Sequence, residues 1–294
     1  MAETTAISWT RSTFNSWVGC TRVGRGCDHC YAEAEDARWH WGGSNHWGPG
    51  VPRMRTSAAY WRGPERWDAL AAEERRTGRV MMIPDKQWRR GAVLWPLPGF
   101  WPVFCASLAD VFDNEVEQGW RYDLFDLVRR TPNLTWQIVT KRVGNVARMV
   151  PAPWMRDGFP PNVWMIATVC DQEEFDRDWP KLRAIPARVR GLSVEPMLGR
   201  IHLPDDVTGN LHWAIFGGES AQPGGEPRPF QVWWAEDAIA QCRYRGVAPF
   251  IKQLGSRALI DAPGGQLVPA RFGTGKRADM GAWPVTLRVR EFPA

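Results

Sequence analysis

Cys20, Cys27 and Cys30 crowd into one short run, Gly19-Cys20-Thr21-Arg22-Val23-Gly24-Arg25-Gly26-Cys27-Asp28-His29-Cys30-Tyr31. The spacing is C-x6-C-x2-C, with an aromatic residue directly after the last cysteine. Thiolates are soft ligands, suited to iron–sulfur clusters and to zinc. The glycines let the backbone wrap closely around a bulky centre. On a four-iron cluster, three protein ligands leave one iron open to a small molecule. Two other readings compete: a Cys3His zinc site completed by His40 or His46, and three ordinary buried thiols. His29 lies between two of the cysteines and is not expected to turn inward with them. Cys105, Cys170 and Cys242 are isolated and read as small core residues.

The residues after Cys30, Ala32-Glu33-Ala34-Glu35-Asp36-Ala37, are strong helix formers. The last cysteine is therefore expected at a helix N-terminus, where the dipole favours thiolate and cluster charge. From about residue 102 a regular alternation begins. Apolar, β-branched runs at 103–107, 135–140, 163–169, 189–194, 212–216 and 249–253 read as buried parallel strands. Helical patterns at 115–130, 143–150, 172–184 and 230–245 lie between them, the last ending at Gly246. This is the pattern of βαβ units. It predicts an α/β fold, a full or partial (β/α) TIM-like barrel of about six to seven parallel strands. Ala6-Ile7-Ser8-Trp9 is a candidate first strand, and a doubly wound open sheet is the alternative.

In a barrel the C-terminal strand ends build the active site. Polar residues recur there: Ser107, Asp110, Thr140, Lys141, Arg142, Thr168, Asp171, Ser193, Glu195, Glu219 and Lys252. Their repetition predicts a polar cavity. Gly217-Gly218-Glu219-Ser220 follows a strand, where a glycine pair allows close approach to a ligand and the carboxylate can bind an amino or hydroxyl group. There is no P-loop, no G-x-S-x-G and no H-E-x-x-H.

Residues 1–41 are read as the cluster loop and first helix, 42–101 as an insertion or lid, 102–254 as the barrel and 255–294 as a C-terminal extension with a possible strand at 285–289. The whole is expected to be one domain. The insertion interleaves Trp39, Trp41, Trp47, Trp61, Trp67, Trp88, Trp95 and Trp101 with Arg53, Arg55, Arg62, Arg66, Arg75, Arg76, Arg79, Arg89 and Arg90, and has a short helical stretch at 67–76. Tryptophan stacks on bases and arginine binds phosphate, so a nucleic-acid surface is one reading. An irregular segment using tryptophan as mortar is the other.

The chain of 294 residues has 44% hydrophobic and 23% charged residues, which excludes the disordered class. The formal net charge is +5, with most basic residues arginine. That permits an anionic partner without requiring one. No run of about 18 apolar residues predicts a membrane span, and the polar N-terminus lacks a signal-peptide pattern. A cytoplasmic protein with reduced thiols is expected.

Blocks spread over most of the chain resemble the phage Gp37/Gp68 family, a domain of unknown function in phages and bacteria. They are Ile7-Ser8-Trp9-Thr10, Gly19-Cys20-Thr21, Gly26-Cys27-Asp28-His29-Cys30-Tyr31-Ala32-Glu33, Ala106-Ser107-Leu108-Ala109-Asp110-Val111-Phe112, Thr140-Lys141-Arg142, Leu192-Ser193-Val194-Glu195-Pro196, Phe216-Gly217-Gly218-Glu219-Ser220 and Pro249-Phe250-Ile251-Lys252-Gln253. That family in turn resembles the radical S-adenosylmethionine (SAM) superfamily, whose common spacing is C-x3-C-x2-C and whose Gly-Gly-Glu follows an early strand. The resemblance implies a [4Fe-4S] cluster on Cys20, Cys27 and Cys30 with Tyr31 packed beside it, SAM as cofactor and an external electron donor. It places Ser107, Asp110, Thr168, Ser193, Gly217, Gly218 and Glu219 in the cofactor pocket, and Glu195, Lys141 and Lys252 in catalytic roles. A nucleobase, nucleotide, DNA or RNA is the expected substrate class, in the cytoplasm of a bacterial host if the chain is phage-encoded. A non-catalytic zinc-binding nucleic-acid recognition protein, or an electron-transfer or sensing cluster without SAM, are the alternatives.

Overall fold

The computed structural model describes residues 5–80, 98–223 and 225–293. Trp88, Trp95, Arg89 and Arg90 lie outside them. The elements that matter here run in the order β1 (Ser12–Thr13), α1 (Tyr31–Trp39), α2 (Gly63–Thr77), β2 (Trp101–Cys105), α3 (Gln118–Arg130), β3 (Leu134–Thr140), β4 (Val163–Val169), α4 (Gln172–Arg183), β5 (Val189–Val194), β6 (Trp213–Gly217), α5 (Val232–Tyr244) and β7 (Ala248–Gln253).

The main sheet has its seven strands in the order of the chain, β1 to β7. The pairings β1 with β2, β2 with β3, β5 with β6 and β6 with β7 are all parallel. A doubly wound sheet reverses direction at a switch point. This one never reverses, so it has the winding of a partial (β/α) barrel. Every residue of β4 is buried, and its sequence Val163-Trp164-Met165-Ile166-Ala167-Thr168-Val169 is almost wholly apolar. Such a run suits a strand covered on both faces. After it, Asp171 caps α4: its side chain accepts from the Glu174 amide, and Glu173 and Glu174 add negative charge to the first turn.

Two sequence expectations need correction. The first strand is Ser12–Thr13, not 6–9. It carries buried polar residues because Thr10 and Ser12 bond within the sheet edge: the Thr10 hydroxyl donates to the Pro102 carbonyl, and the Trp101 indole to Ser12 Oγ. Residues 285–289 do not form a strand. Val285–Leu287 is a single tight 3₁₀ turn, and a lone bridge joins Arg290 to Phe250.

The chain divides into two compact units that interleave in sequence. The first comprises 1–22, 35–165 and 185–188, and the second 23–34, 166–184 and 189–294. The first unit is built around fully buried Trp9, Trp17, Trp101 and Trp136, and the second around Trp213, Phe216, Phe230, Phe250 and Trp283. In the first, Arg11 and Glu74 form a buried two-point ion pair at 2.9 and 2.7 Å, with the guanidinium 3.6 Å above the Trp101 ring. Removing one partner of such a pair strands a buried charge. Glu74→Gln is accordingly expected to cost about 3 kcal/mol in urea unfolding. An unchanged unfolding midpoint would show that the pair contributes nothing.

Candidate functional site

In the second unit the segment from Gly24 to Cys30 is short and turn-rich. Cys27 ends a 3₁₀ turn, Arg25–Cys27, and Cys30 immediately precedes α1. The Ala34 amide donates to the Cys30 carbonyl at 3.1 Å, so this cysteine does sit at the helix start. The segment is held by side chains from elsewhere in the unit. Arg228 Nη1 donates to the Arg25 carbonyl at 2.8 Å and lies 3.2 Å from Asp28 Oδ2. The same guanidinium, and the Arg228 backbone amide at 2.8 Å, donate to the Glu219 carboxylate. His29 Nδ1 meets Glu219 Oε2 at 3.0 Å. A Cβ at Gly225 would lie 2.7 Å from His29 Nε2, so this glycine leaves room for the ring.

Glu219 is buried. Burial alone would raise its pKa, but the hydrogen bonds from Arg228 and His29 outweigh it and hold the carboxyl below the usual glutamate value. An ionised carboxylate only accepts, so His29 carries its proton on Nδ1. A second tie is weaker: Arg25 Nη1 reaches Asp171 Oδ2 at 3.4 Å from an exposed position. Cys27 and Cys30 are thus fixed beside residues that leave the C-terminal ends of β6 and, more loosely, β4. His29 points to Glu219, as its place between the cysteines had suggested it would not join them.

Other strand-end residues gather in the same unit. Lys252 Nζ pairs with Glu195 Oε1 at 2.7 Å, and Ser193 Oγ donates to Glu195 Oε2 at 3.1 Å. A Cβ at Gly217 would lie 2.8 Å from Glu195 Oε1, so β6 passes directly under this carboxylate. The space expected for a ligand at Gly218 is taken by the protein itself. A Cβ there would stand 2.5 Å from the Leu254 carbonyl oxygen, and Gln253 Nε2 donates to the Gly218 carbonyl at 2.9 Å. Thr168 is buried at the end of β4, while Tyr31 is 43% exposed at the start of α1.

The first unit holds the remaining candidates. Arg142 Nη1 lies 3.3 Å from Cys20 Sγ, and Nη2 donates to the Thr21 carbonyl at 2.6 Å. The guanidinium also lies 3.6 Å from Asp110 and 3.5 Å from Asp113. Burial, and then the Asp110 charge, push the Cys20 thiol up to about 12, with Arg142 acting in the other direction. Asp110 is saturated by the Phe112 amide, the Thr140 hydroxyl and the Lys141 amide, at 2.9, 2.7 and 3.0 Å. It organises the loop after β2 and the end of β3. Lys141 contributes its backbone to that set. Ser107 exchanges hydrogen bonds with the Asn15 side chain.

Among the described residues, one set of three potential ligands has its donor atoms within 4.8 Å of one another, namely Cys170, Asp171 and Glu174. Cys20, Cys27 and Cys30 do not form such a set. The Cys170 group is explained by the helix it precedes. Asp171 accepts from the Glu174 amide at 3.0 Å and Glu174 Oε2 from the Cys170 amide at 2.9 Å, a reciprocal capping arrangement. The zinc alternative fares poorly on its fourth ligand. His46 has Nδ1 on Asp36 at 3.0 Å and Nε2 near Ser44 Oγ at 3.3 Å, so both ring nitrogens are engaged. His40 is exposed and has a left-handed backbone, φ +45°.

The tryptophan and arginine stretch is largely structural where it is described. Trp47, Trp67 and Trp101 are buried. Arg53 pairs with Asp113, Arg75 with Asn133, and Arg76 with Glu73. Arg228 went unread because it stands in a Pro/Gly-rich stretch without periodicity, Gln222-Pro223-Gly224-Gly225-Glu226-Pro227-Arg228. Only its charge, nine residues after Glu219, could have pointed to it.

A depressed carboxyl stabilises the fold above its unfolded pKa, and that contribution is lost as pH falls through the folded value. Replacing Glu219 with Gln removes it. The wild-type chain should therefore exceed Glu219→Gln in stability by a constant margin from neutral pH to about 4.5, the ordinary glutamate value, with the margin shrinking below that. Urea unfolding at stepped pH measures it. A margin that does not change with pH would contradict the assigned ionisation. No curated protein and no solved structure matches the chain. A family model described as "Protein of unknown function (DUF5131)" matches residues 4–275, nearly the whole length. The chain therefore belongs to the DUF5131 family.

Proposed function

We propose that the chain is an iron–sulfur enzyme of the radical SAM type, with Cys20, Cys27 and Cys30 as cluster ligands. One observation carries the reading. Glu219 and Arg228 tie the Cys27–Cys30 segment to the end of β6, in the unit whose strand ends also present Thr168, Ser193, Glu195 and Lys252. In a barrel-type enzyme this is the side where chemistry takes place. The donor set is consistent with the group: three cysteines outside any disulfide, soft ligands that favour iron and sulfide. When bound, such a cluster supplies an electron to S-adenosylmethionine and starts radical chemistry on a substrate.

The chain's own residues have definable tasks. Cys20 is a thiol near neutral pH, since its pKa is raised to about 12. It would lose its proton on binding a metal, and the Arg142 guanidinium, 3.3 Å from Cys20 Sγ, would stabilise the resulting charge. Glu219 and Arg228 keep the Cys27–Cys30 turn from fraying. Glu195 and Lys252 form an ion pair able to hold or deliver a proton at the Glu195 carboxylate or the Lys252 ammonium. Ser193 fixes the orientation of Glu195. Lys141, Ser107 and Asp110 remain candidates from the family resemblance, with Asp110 acting as a positioning residue for the loop after β2. A nucleobase or nucleic acid remains the substrate class implied by that resemblance.

Anaerobic reconstitution tests this. The full chain should take up iron and sulfide in equal amounts and release 5′-deoxyadenosine from S-adenosylmethionine on reduction. Cys27→Ala and Cys30→Ala should each abolish both while remaining folded. Zinc uptake without iron, or iron uptake indifferent to all three cysteines, would sink the reading. Iron uptake without 5′-deoxyadenosine would favour an electron-transfer or sensing role instead.

A further inference from the structure

Arg53 is buried, and every nitrogen of its guanidinium is engaged. Nε donates to Asp113 Oδ2 at 2.8 Å. Nη1 gathers the carbonyls of His46, Gly48 and Val51, at 3.1, 3.1 and 2.7 Å. Nη2 donates to the Thr21 hydroxyl at 2.7 Å and lies 3.0 Å from Glu115 Oε2. The planar fork of an arginine serves this many acceptors in fixed directions, whereas a lysine ammonium offers three donors from a single point.

Those acceptors surround Cys20. Thr21 is the next residue along the chain. The Gly48 amide donates to the Cys20 carbonyl at 3.0 Å. On the other side, Gly19 has φ +110°, and a Cβ there would stand 2.3 Å from the His46 carbonyl oxygen and 2.9 Å from Arg53 Cδ. The Gly19 amide donates to the Leu108 carbonyl at 3.0 Å. The backbone is therefore pinned before, at and after the cysteine, and Sγ meets Arg142 at 3.3 Å. Asp113, also buried, joins the two arginines. Its Oδ2 takes Arg53 Nε, and its Oδ1 lies 3.5 Å from Arg142 Nη2. Both guanidiniums then meet on Thr21, Arg53 at the hydroxyl and Arg142 at the carbonyl, 2.6 Å away. A buried ion pair adds little net stability over apolar packing; what it can add is one defined geometry. Groups that hold a ligand, and not the metal, are worth about 10- to 100-fold in metal affinity.

We infer that Arg53 and Asp113 are positioning residues for Cys20, setting its sulfur in place before any metal arrives. The inference rests on reading Cys20 as a cluster ligand, but its first test needs no metal, so the two can fail separately. The full chain, purified with a chelator, is treated with iodoacetamide, and alkylation of each cysteine is followed by mass spectrometry. Thr21→Val removes only the hydroxyl that Arg53 grips. It should speed alkylation of Cys20 about tenfold, the scale of one lost charge-assisted hydrogen bond, and leave Cys27 and Cys30 at wild-type rates. Thr21→Ser keeps the hydroxyl and should restore the slow rate. Arg53→Lys keeps the charge but loses the fork, and should behave like Thr21→Val. After anaerobic reconstitution, Thr21→Val should lose iron to a chelator about tenfold faster than wild type. Cys20 alkylation at the wild-type rate in Thr21→Val and Arg53→Lys would overturn the inference. So would equal acceleration of all three cysteines, the mark of general loosening, or iron loss at the wild-type rate. A chain that takes up no iron would overturn the cluster reading and leave the alkylation rates to decide the role of Arg53.

Discussion

The Glu219 carboxylate organises the second unit's polar side. It is buried, and it receives the Arg228 guanidinium, the Arg228 amide and the His29 ring. A buried charge is tolerated only when it is fully paired and hydrogen-bonded. Each of those donors is in turn anchored to the cysteine segment: His29 stands between Cys27 and Cys30, and Arg228 also holds the Arg25 carbonyl and Asp28. One carboxylate at the end of a strand thereby fixes a turn that has no strand or long helix of its own. Its glycines, which suit it to wrap a bulky centre, would otherwise leave it loose.

The first unit uses the same device around a different thiol. Arg142 touches Cys20, Thr21, Asp110 and Asp113. Asp110 in turn is closed by the Thr140 hydroxyl and the Lys141 amide. A guanidinium beside a buried thiol lowers the cost of ionising it. Such a thiol is inert as a free side chain near neutral pH and becomes a ligand when a metal takes its proton.

Much of the fold was legible because parallel strands announce themselves. Residues 163–169 form an almost wholly apolar run and 189–194 a mixed run rich in β-branched and apolar residues, and β4 and β5 have those bounds. The first strand was misplaced because Ser12–Thr13 is two residues long and polar, held by the edge of β2 and not by an apolar pattern. The polar strand ends were visible one at a time, but sequence cannot say which of them meet. Glu195 and Lys252 lie far apart in the chain and pair directly. Gly217-Gly218 suggested room for a ligand, yet Leu254 and Glu195 occupy the space. Arg228 sits in a Pro/Gly-rich turn where no periodicity marks a residue as functional.

The central claim is that this cysteine loop, held by Glu219, serves a cluster with one iron open to S-adenosylmethionine. Electron paramagnetic resonance of the reconstituted, chemically reduced full chain, recorded before and after adding S-adenosylmethionine, tests it most directly. The account predicts a reduced-cluster signal whose g-values change when S-adenosylmethionine binds. A chain with no cluster signal, or one whose signal ignores S-adenosylmethionine, would contradict it.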